Sequence, residues 1–168
     1  MAKKIPTKNY VILFGIAVLI VCGCFAFYNV YNEVKDNNIS SSPLSTHQVL
    51  YEDLTDTTVE MNADTLLLVS YVQDESVHNN EKDIRKMLNK KNLLDNVLYL
   101  DVTEYKDQDN FINELNKTLK LEEKLKIDKI PAVIYYKDGI PTITIDSKSH
   151  LVNAGDFEHI IDMYQLAS

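Results

Sequence analysis

Residues 125–139 read Leu-Lys-Ile-Asp-Lys-Ile-Pro-Ala-Val-Ile-Tyr-Tyr-Lys-Asp-Gly, and the rest of the domain can be placed outward from them. Ala132–Tyr136 is a hydrophobic run that reads as a strand. Asp138-Gly139 favours positive φ at the two central positions of a tight turn. Thr142–Ile145 behind it then supplies the returning strand of a hairpin.

Upstream, Leu66–Val72 and Val97–Val102 are two further short apolar runs and predict buried strands. Between them Ile84, Met87 and Leu88 recur at i, i+3, i+4, so Asn79–Lys91 is an amphipathic helix with Glu81 and Asp83 as first-turn acids. Phe111, Ile112, Leu115 and Leu119, then Leu121 and Leu125, give one long helix or two abutting ones over Asn110–Leu125. Asp156 is placed to cap a last helix carrying Phe157, Ile160, Ile161 and Tyr164 on one face. Residues 47–64 are looser, with a strand near Val49–Tyr51 followed by a short helix or strand. The order strand–helix–strand–helix–strand–strand–helix is an α/β domain.

That order, with the apolar pair, the Ile-Pro step and the strand ending in Asp-Gly, resembles the thioredoxin superfamily over about residues 64–166. The resemblance implies a central mixed sheet flanked by helices, and a cis proline at Pro131 facing the family's active site. X–Pro bonds are the usual place for a cis peptide. The long 110–125 stretch is more similar to membrane-tethered thioredoxin-like proteins of Gram-positive bacteria, the bacteriocin accessory group among them, than to the smallest thioredoxins.

The departure from the family is chemical. Its Cys-x-x-Cys pair falls on Ser76 and Asn79 of Ser76-Val77-His78-Asn79, and its buried acid falls on Ser70. The chain has two cysteines, Cys22 and Cys24, and none after them. A helix N-terminus lowers a thiol's pKa so that the thiolate attacks a disulfide, whereas serine has no comparable acidity and cannot accept electrons. The expectation is a domain without thiol–disulfide activity, not an enzyme, with no catalytic residue, cofactor or metal.

What the resemblance leaves is a groove. In thioredoxins the cis-proline loop presents backbone groups that pair with an extended peptide, a form of strand addition. Carried over, this makes Ile130, Pro131 and Ala132, beside Ser76, Val77, His78 and Asn79, the candidate binding residues for an extracytoplasmic protein or peptide. Other readings stay open. Ser76 and His78 with Asp74 suggest a nucleophile and base, although neighbours at a strand–helix turn seldom point at each other. Ser76 as an N-cap or loop residue with an exposed His78 is the plainer alternative. Asp74, Glu75 and His78 offer metal-ligand atoms, yet suit a solvated acidic turn as well. His47, His150 and His159 lack ligand spacing. A structural subunit that assembles through its N-terminal helix is a third possibility.

The N-terminal part is of another kind. Lys3, Lys4 and Lys8 precede Val11–Phe27, 17 residues without a charge, flanked by Tyr10, Tyr28 and Tyr31. About 17–25 apolar residues span a bilayer, and the lysine bias sets the N-terminus inside. The expected organisation is a cytoplasmic segment 1–9, a transmembrane helix 10–30, a polar stalk 31–46 and a thioredoxin-like domain 47–168 outside the cell membrane. Cleavage after Ala26, or lipidation at Cys24, are the competing fates of this segment. Asn38-Ile39-Ser40 and Asn116-Lys117-Thr118 match glycosylation acceptors. Net charge is −8 overall, and residues 29–168 carry 14 basic against 25 acidic side chains. Such a surface repels phosphate backbones, so no nucleic-acid partner is expected.

Overall fold

The computed structural model describes residues 7–36, 39–54 and 64–166. The chain divides into two compact units, residues 1–38 and 39–168. The first holds one helix, α1 (Thr7–Asp36). Phe14, Leu19, Ile20, Val21, Phe25 and Phe27 on it are exposed. Among the described residues no helix is long and apolar enough to cross a membrane. Asn38, with the first glycosylation signal, lies outside the described residues.

The second unit contains five strands: β1 (Gln48–Val49), β2 (Thr65–Ser70), β3 (Val97–Asp101), β4 (Ala132–Lys137) and β5 (Ile140–Asp146). They form one mixed sheet in the order β1-β3-β2-β4-β5. β1 and β2 run parallel to β3, whereas β4 is antiparallel to both β2 and β5. Three helices flank the sheet: α2 (Glu75–Lys91), α3 (Phe111–Thr118) and α4 (Ala154–Tyr164). Alternation along the strands divides the core into two layers. Leu67, Val69, Leu100, Ile134 and Tyr136 meet Phe111, Leu115 and Leu119 on the α3 face. Leu66, Leu68, Tyr99, Val133 and Tyr135 meet Ile84, Leu88, Phe157 and Ile160 on the face of α2 and α4. This is the mixed sheet between helices that the thioredoxin resemblance implies, and Ile130–Pro131 is the cis bond it implies as well.

Several boundaries move for identifiable reasons. α2 begins at Glu75 rather than Asn79, because Asp74 caps it. The 110–125 stretch is a two-turn helix followed by a 3₁₀ turn at Glu123–Leu125. Lys120 adopts φ 52°, and the Leu121 N–H reaches back 3.0 Å to the Asn116 carbonyl, which closes α3. The cap of α4 is Asn153, and Asp156 is the returning member of a capping box. Asp138 and Gly139 take φ of 50° and 75°, as the hairpin requires.

The compact unit starts at Ile39, earlier than the expected domain start at residue 47. The polar run hides one apolar anchor, Leu44, which is 2% exposed and packs with Leu66, Leu68 and Tyr99. Ser42 beside it is buried too. The second glycosylation signal also proves to be structural. Asn116 is buried, with Oδ1 accepting from the Ile127 N–H and Nδ2 donating to the Ile127 carbonyl, both at 2.8 Å. Its amide is committed to the fold, not offered to a glycan.

Candidate functional site

Strand register brings the two halves of the expected groove to one end of the sheet. Val69 near the end of β2 lies opposite Ala132 at the start of β4. The loop leaving β2 into α2 and the Ile130–Pro131 turn entering β4 are therefore neighbours. β3 ends there as well, with Ser70 opposite Asp101, and β5 ends opposite Ala132 with Asp146.

Each segment is held by short polar contacts. In the β2–α2 loop the Val72 N–H donates to Thr103 Oγ1 at 2.9 Å, and Thr103 is fixed in turn by its bonds to Asp101. Tyr71 is half-buried, and the Lys106 ammonium sits 5.3 Å from its ring centroid. Partial burial, with Asp74 nearby, raises the Tyr71 hydroxyl's pKa. Asp74 Oδ1 accepts from the N–H groups of Ser76 (2.9 Å) and Val77 (3.0 Å). A helix N-terminus exposes up to four unpaired amides, and an aspartate cap of this kind contributes about 1 kcal/mol. The donors that would face a nucleophile in this place are thus occupied by the chain's own carboxylate.

The proline turn is held on both sides. Ser147 Oγ donates to the Pro131 carbonyl at 2.6 Å and accepts from the Val152 N–H at 3.2 Å. Asp146 Oδ2 accepts from the N–H groups of Asp128 (2.8 Å) and Lys129 (3.2 Å), and the Lys129 carbonyl accepts from the Ser147 N–H. Between these clamps lies Ile130. Its own N–H and C=O have no hydrogen-bond partner among the described residues. Buried backbone groups are nearly always paired, so a half-buried residue with both groups open at a strand end is suited to receive another chain.

The expected site residues divide by exposure. Ser76 and Asn79 are exposed, Ile130 is half-buried, and Val77, Pro131 and Ala132 are buried. His78 is buried, not exposed as the plainer reading of this turn has it, and the cap of α2 is Asp74 rather than Ser76. Among the described residues, no group of three or more His, Cys, Asp or Glu side chains is arranged to hold a metal ion.

One functional candidate escaped sequence reasoning. Glu81, 2% exposed, accepts hydrogen bonds from Ser70 Oγ and Ser42 Oγ, both at 2.6 Å. Residue 70 lacks an acid, but a buried carboxylate reaches Ser70 all the same, delivered from the second turn of α2. Burial pushes its pKa up to about 7, against the two serine hydrogen bonds and with help from Asp101. The Tyr99 hydroxyl is buried close by, without a hydrogen-bond partner among the described residues, and its pKa too is raised, first by burial and then by Glu81. The signal lay in spacing: Val77, Glu81, Ile84 and Leu88 fall at i, i+4, i+7, i+11, which puts Glu81 on the buried face of α2.

No family model and no curated protein matches the sequence. Among solved structures the chain is similar to oxidized thioredoxin O2 from Arabidopsis thaliana, at 14% identity and a TM-score of 0.44. That match covers 76% of this chain and 100% of the other. A designed protein is similar at the same identity and TM-score, over 76% of this chain and 98% of its own.

Proposed function

We propose that this is a membrane-anchored, extracytoplasmic thioredoxin-like domain without redox activity, whose sheet-end groove binds an extended segment of another protein. The observation that carries the reading is Ile130: a backbone donor and acceptor left open in a turn clamped by Asp146 and Ser147, beside a helix start without a thiol. Strand addition takes its affinity from such main-chain groups and its selectivity from flanking side chains. Here Tyr71, Lys106 and Ser76 supply the rim. Both cysteines belong to residues 1–38, so residues 39–168 have no thiol for disulfide exchange. Capping of Ser76 and Val77 by Asp74 also speaks against Ser76 as a nucleophile, because the carboxylate oxygen and the amides that would assist it are already paired.

Anchoring rests on the sequence. The 17 uncharged residues Val11–Phe27 follow three lysines. This orientation puts residues 39–168 outside, and an accessory role in secretion, envelope assembly or bacteriocin handling fits a groove displayed there.

The test is site-specific photo-crosslinking in intact cells. A photoreactive residue at Ser76 is expected to trap one discrete partner, and the same residue at exposed Lys137, at the far end of β4, is expected to trap none. Equal labelling from both positions, or none from Ser76, would overturn the groove as the binding surface.

A further inference from the structure

We propose that the cavity between α3 and the loop behind it binds a small phosphate ester of a hydroxylated compound, a polyol or sugar phosphate. The inference stands apart from what the Ile130 turn binds.

The cavity has a volume of about 450 Å³, a size typical of small-molecule sites. One wall is a face of α3, where Asn110, Asn113 and Lys117 follow one another at i, i+3, i+7, and Lys120 continues it past the helix end. The other wall is the returning loop, with Leu121 and Lys126. That loop is fastened to α3 at both ends. The Lys120 N–H donates to the Lys117 carbonyl at 3.1 Å, and the Leu121 N–H to the Asn116 carbonyl at 3.0 Å. At the far end the Asn116 side chain holds the backbone of Ile127, next to Lys126. Leu121 and Leu125 are buried between these points. The three lysines are thus mounted on a frame closed by the chain's own contacts.

Charge selects the ligand's head. Lys117, Lys120 and Lys126 stand against one lining acid, Glu114, on a chain whose residues 29–168 carry 14 basic against 25 acidic side chains. A cleft lined by one sign of charge concentrates ions of the other. Among the described residues neither Lys117 nor Lys120 has a carboxylate within ion-pair distance. Lys126 pairs with Glu123, whose side chain is 90% exposed, a surface pair that contributes little and is readily exchanged. A phosphate monoester carries about −1.5 to −2 charges near neutral pH and three strong acceptor oxygens, which two or three ammonium groups satisfy. The amides at the other end select the ligand's body. Seven residues of α-helix rise about 10 Å, which sets the span from Asn110 to Lys117. The Asn110 side chain makes no cap hydrogen bond to α3, and Asn113 is exposed. Both offer amide donors and acceptors, and Glu114 offers an acceptor, at the reach of a short chain of hydroxyls. A hydroxylated body uses these groups, whereas a bare anion or an apolar ester does not.

Amide chemical shifts of the isotope-labelled full-length chain in detergent micelles, titrated with glycerol 3-phosphate, test the site. Saturable shifts are expected at Asn113, Lys117, Lys120 and Lys126, and none at Lys137 in β4. Inorganic phosphate is expected to act on the lysine amides about tenfold more weakly, for want of the hydrogen bonds to the body, and glycerol not at all. Replacing both Lys117→Gln and Lys120→Gln, exposed positions that leave the frame intact, is expected to weaken the ester about 100-fold, about tenfold for each lost charged contact. Asn113→Ala is expected to weaken the ester and leave inorganic phosphate unchanged. Micelles doped with phosphatidylglycerol present the same chemistry as a lipid headgroup. Shifts of the same amides there assign a lipid source, and shifts with the free ester alone assign a soluble one. Shifts that fail to saturate, affinity unaltered in the double lysine variant, or equal binding of the ester and inorganic phosphate would overturn the proposal.

Discussion

Asn116→Ala is expected to destabilise the domain by about 2–6 kcal/mol, measured as a lower urea midpoint at unchanged slope. The size follows from which atoms are stranded. Asn116 Oδ1 and Nδ2 pair with the N–H and C=O of one residue, Ile127, which is 1% exposed. Alanine leaves both backbone groups buried without partners, at a cost of about 1–3 kcal/mol each, and removes two net favourable hydrogen bonds. The effect reaches the proline turn, since Ile127 opens the stretch that Asp146 and Ser147 hold on its way to Pro131. A loss below about 1 kcal/mol would mean that the loop re-pairs itself and that Asn116 is not its anchor.

The second large effect is a dependence on pH that runs opposite to the common behaviour of carboxylates. Glu81 in the folded chain titrates near 7, above its ordinary 4.5. The folded state thus binds this proton more tightly than the unfolded state, and the favourable contribution is complete below pH 4.5 and lost as pH rises to about 7. About 3 kcal/mol is at stake, from 1.36 kcal/mol per pKa unit. The difference between Glu81→Gln and the parent isolates the term. It is expected to move in favour of the glutamine variant by about 3 kcal/mol between pH 4.5 and 8 in urea titrations. A difference independent of pH would show that the carboxyl is solvated in the folded chain.

The core strands were legible because each is an apolar run bounded by turn residues, and burial on both faces leaves no other economical reading of LLLV or AVIYY. The hairpin was legible because Asp-Gly is a local signal, satisfied within four residues. What escaped was long-range and polar. Ser42, Ser70 and Glu81 are 39 and 11 residues apart in their pairings, and each looks ordinary in its own neighbourhood. Glu81 fits a first-turn acid when α2 is started at Asn79. Starting the helix at Asp74 moves Glu81 onto the buried face with Ile84 and Leu88. Residues 39–46 resemble a stalk in composition, and only Leu44 betrays the contact with the core. Asn116-Lys117-Thr118 shows the same limit, since a three-residue pattern carries no information about the Ile127 backbone across the loop.

Within the candidate site, chain order placed Ser76–Asn79 and Ile130–Ala132 in one region, and the Val69–Ala132 register brings them to one sheet end. The details that bear on chemistry came from side chains. Asp74 takes the helix amides, and Asp146 and Ser147 fix the turn while leaving Ile130 open. Residue 70 carries no acid, and the buried carboxylate that pairs with Ser70 comes from α2, a contact that position along β2 could not show.

The most direct measurement of the binding account is hydrogen exchange at the Ile130 amide, compared between the free chain and the chain cross-linked through position 76 to its partner. Strand addition predicts that this amide, open in the free chain, becomes protected tenfold or more, as an N–H entering a β ladder does. Exchange at Ile130 that is unchanged by the bound partner would contradict it.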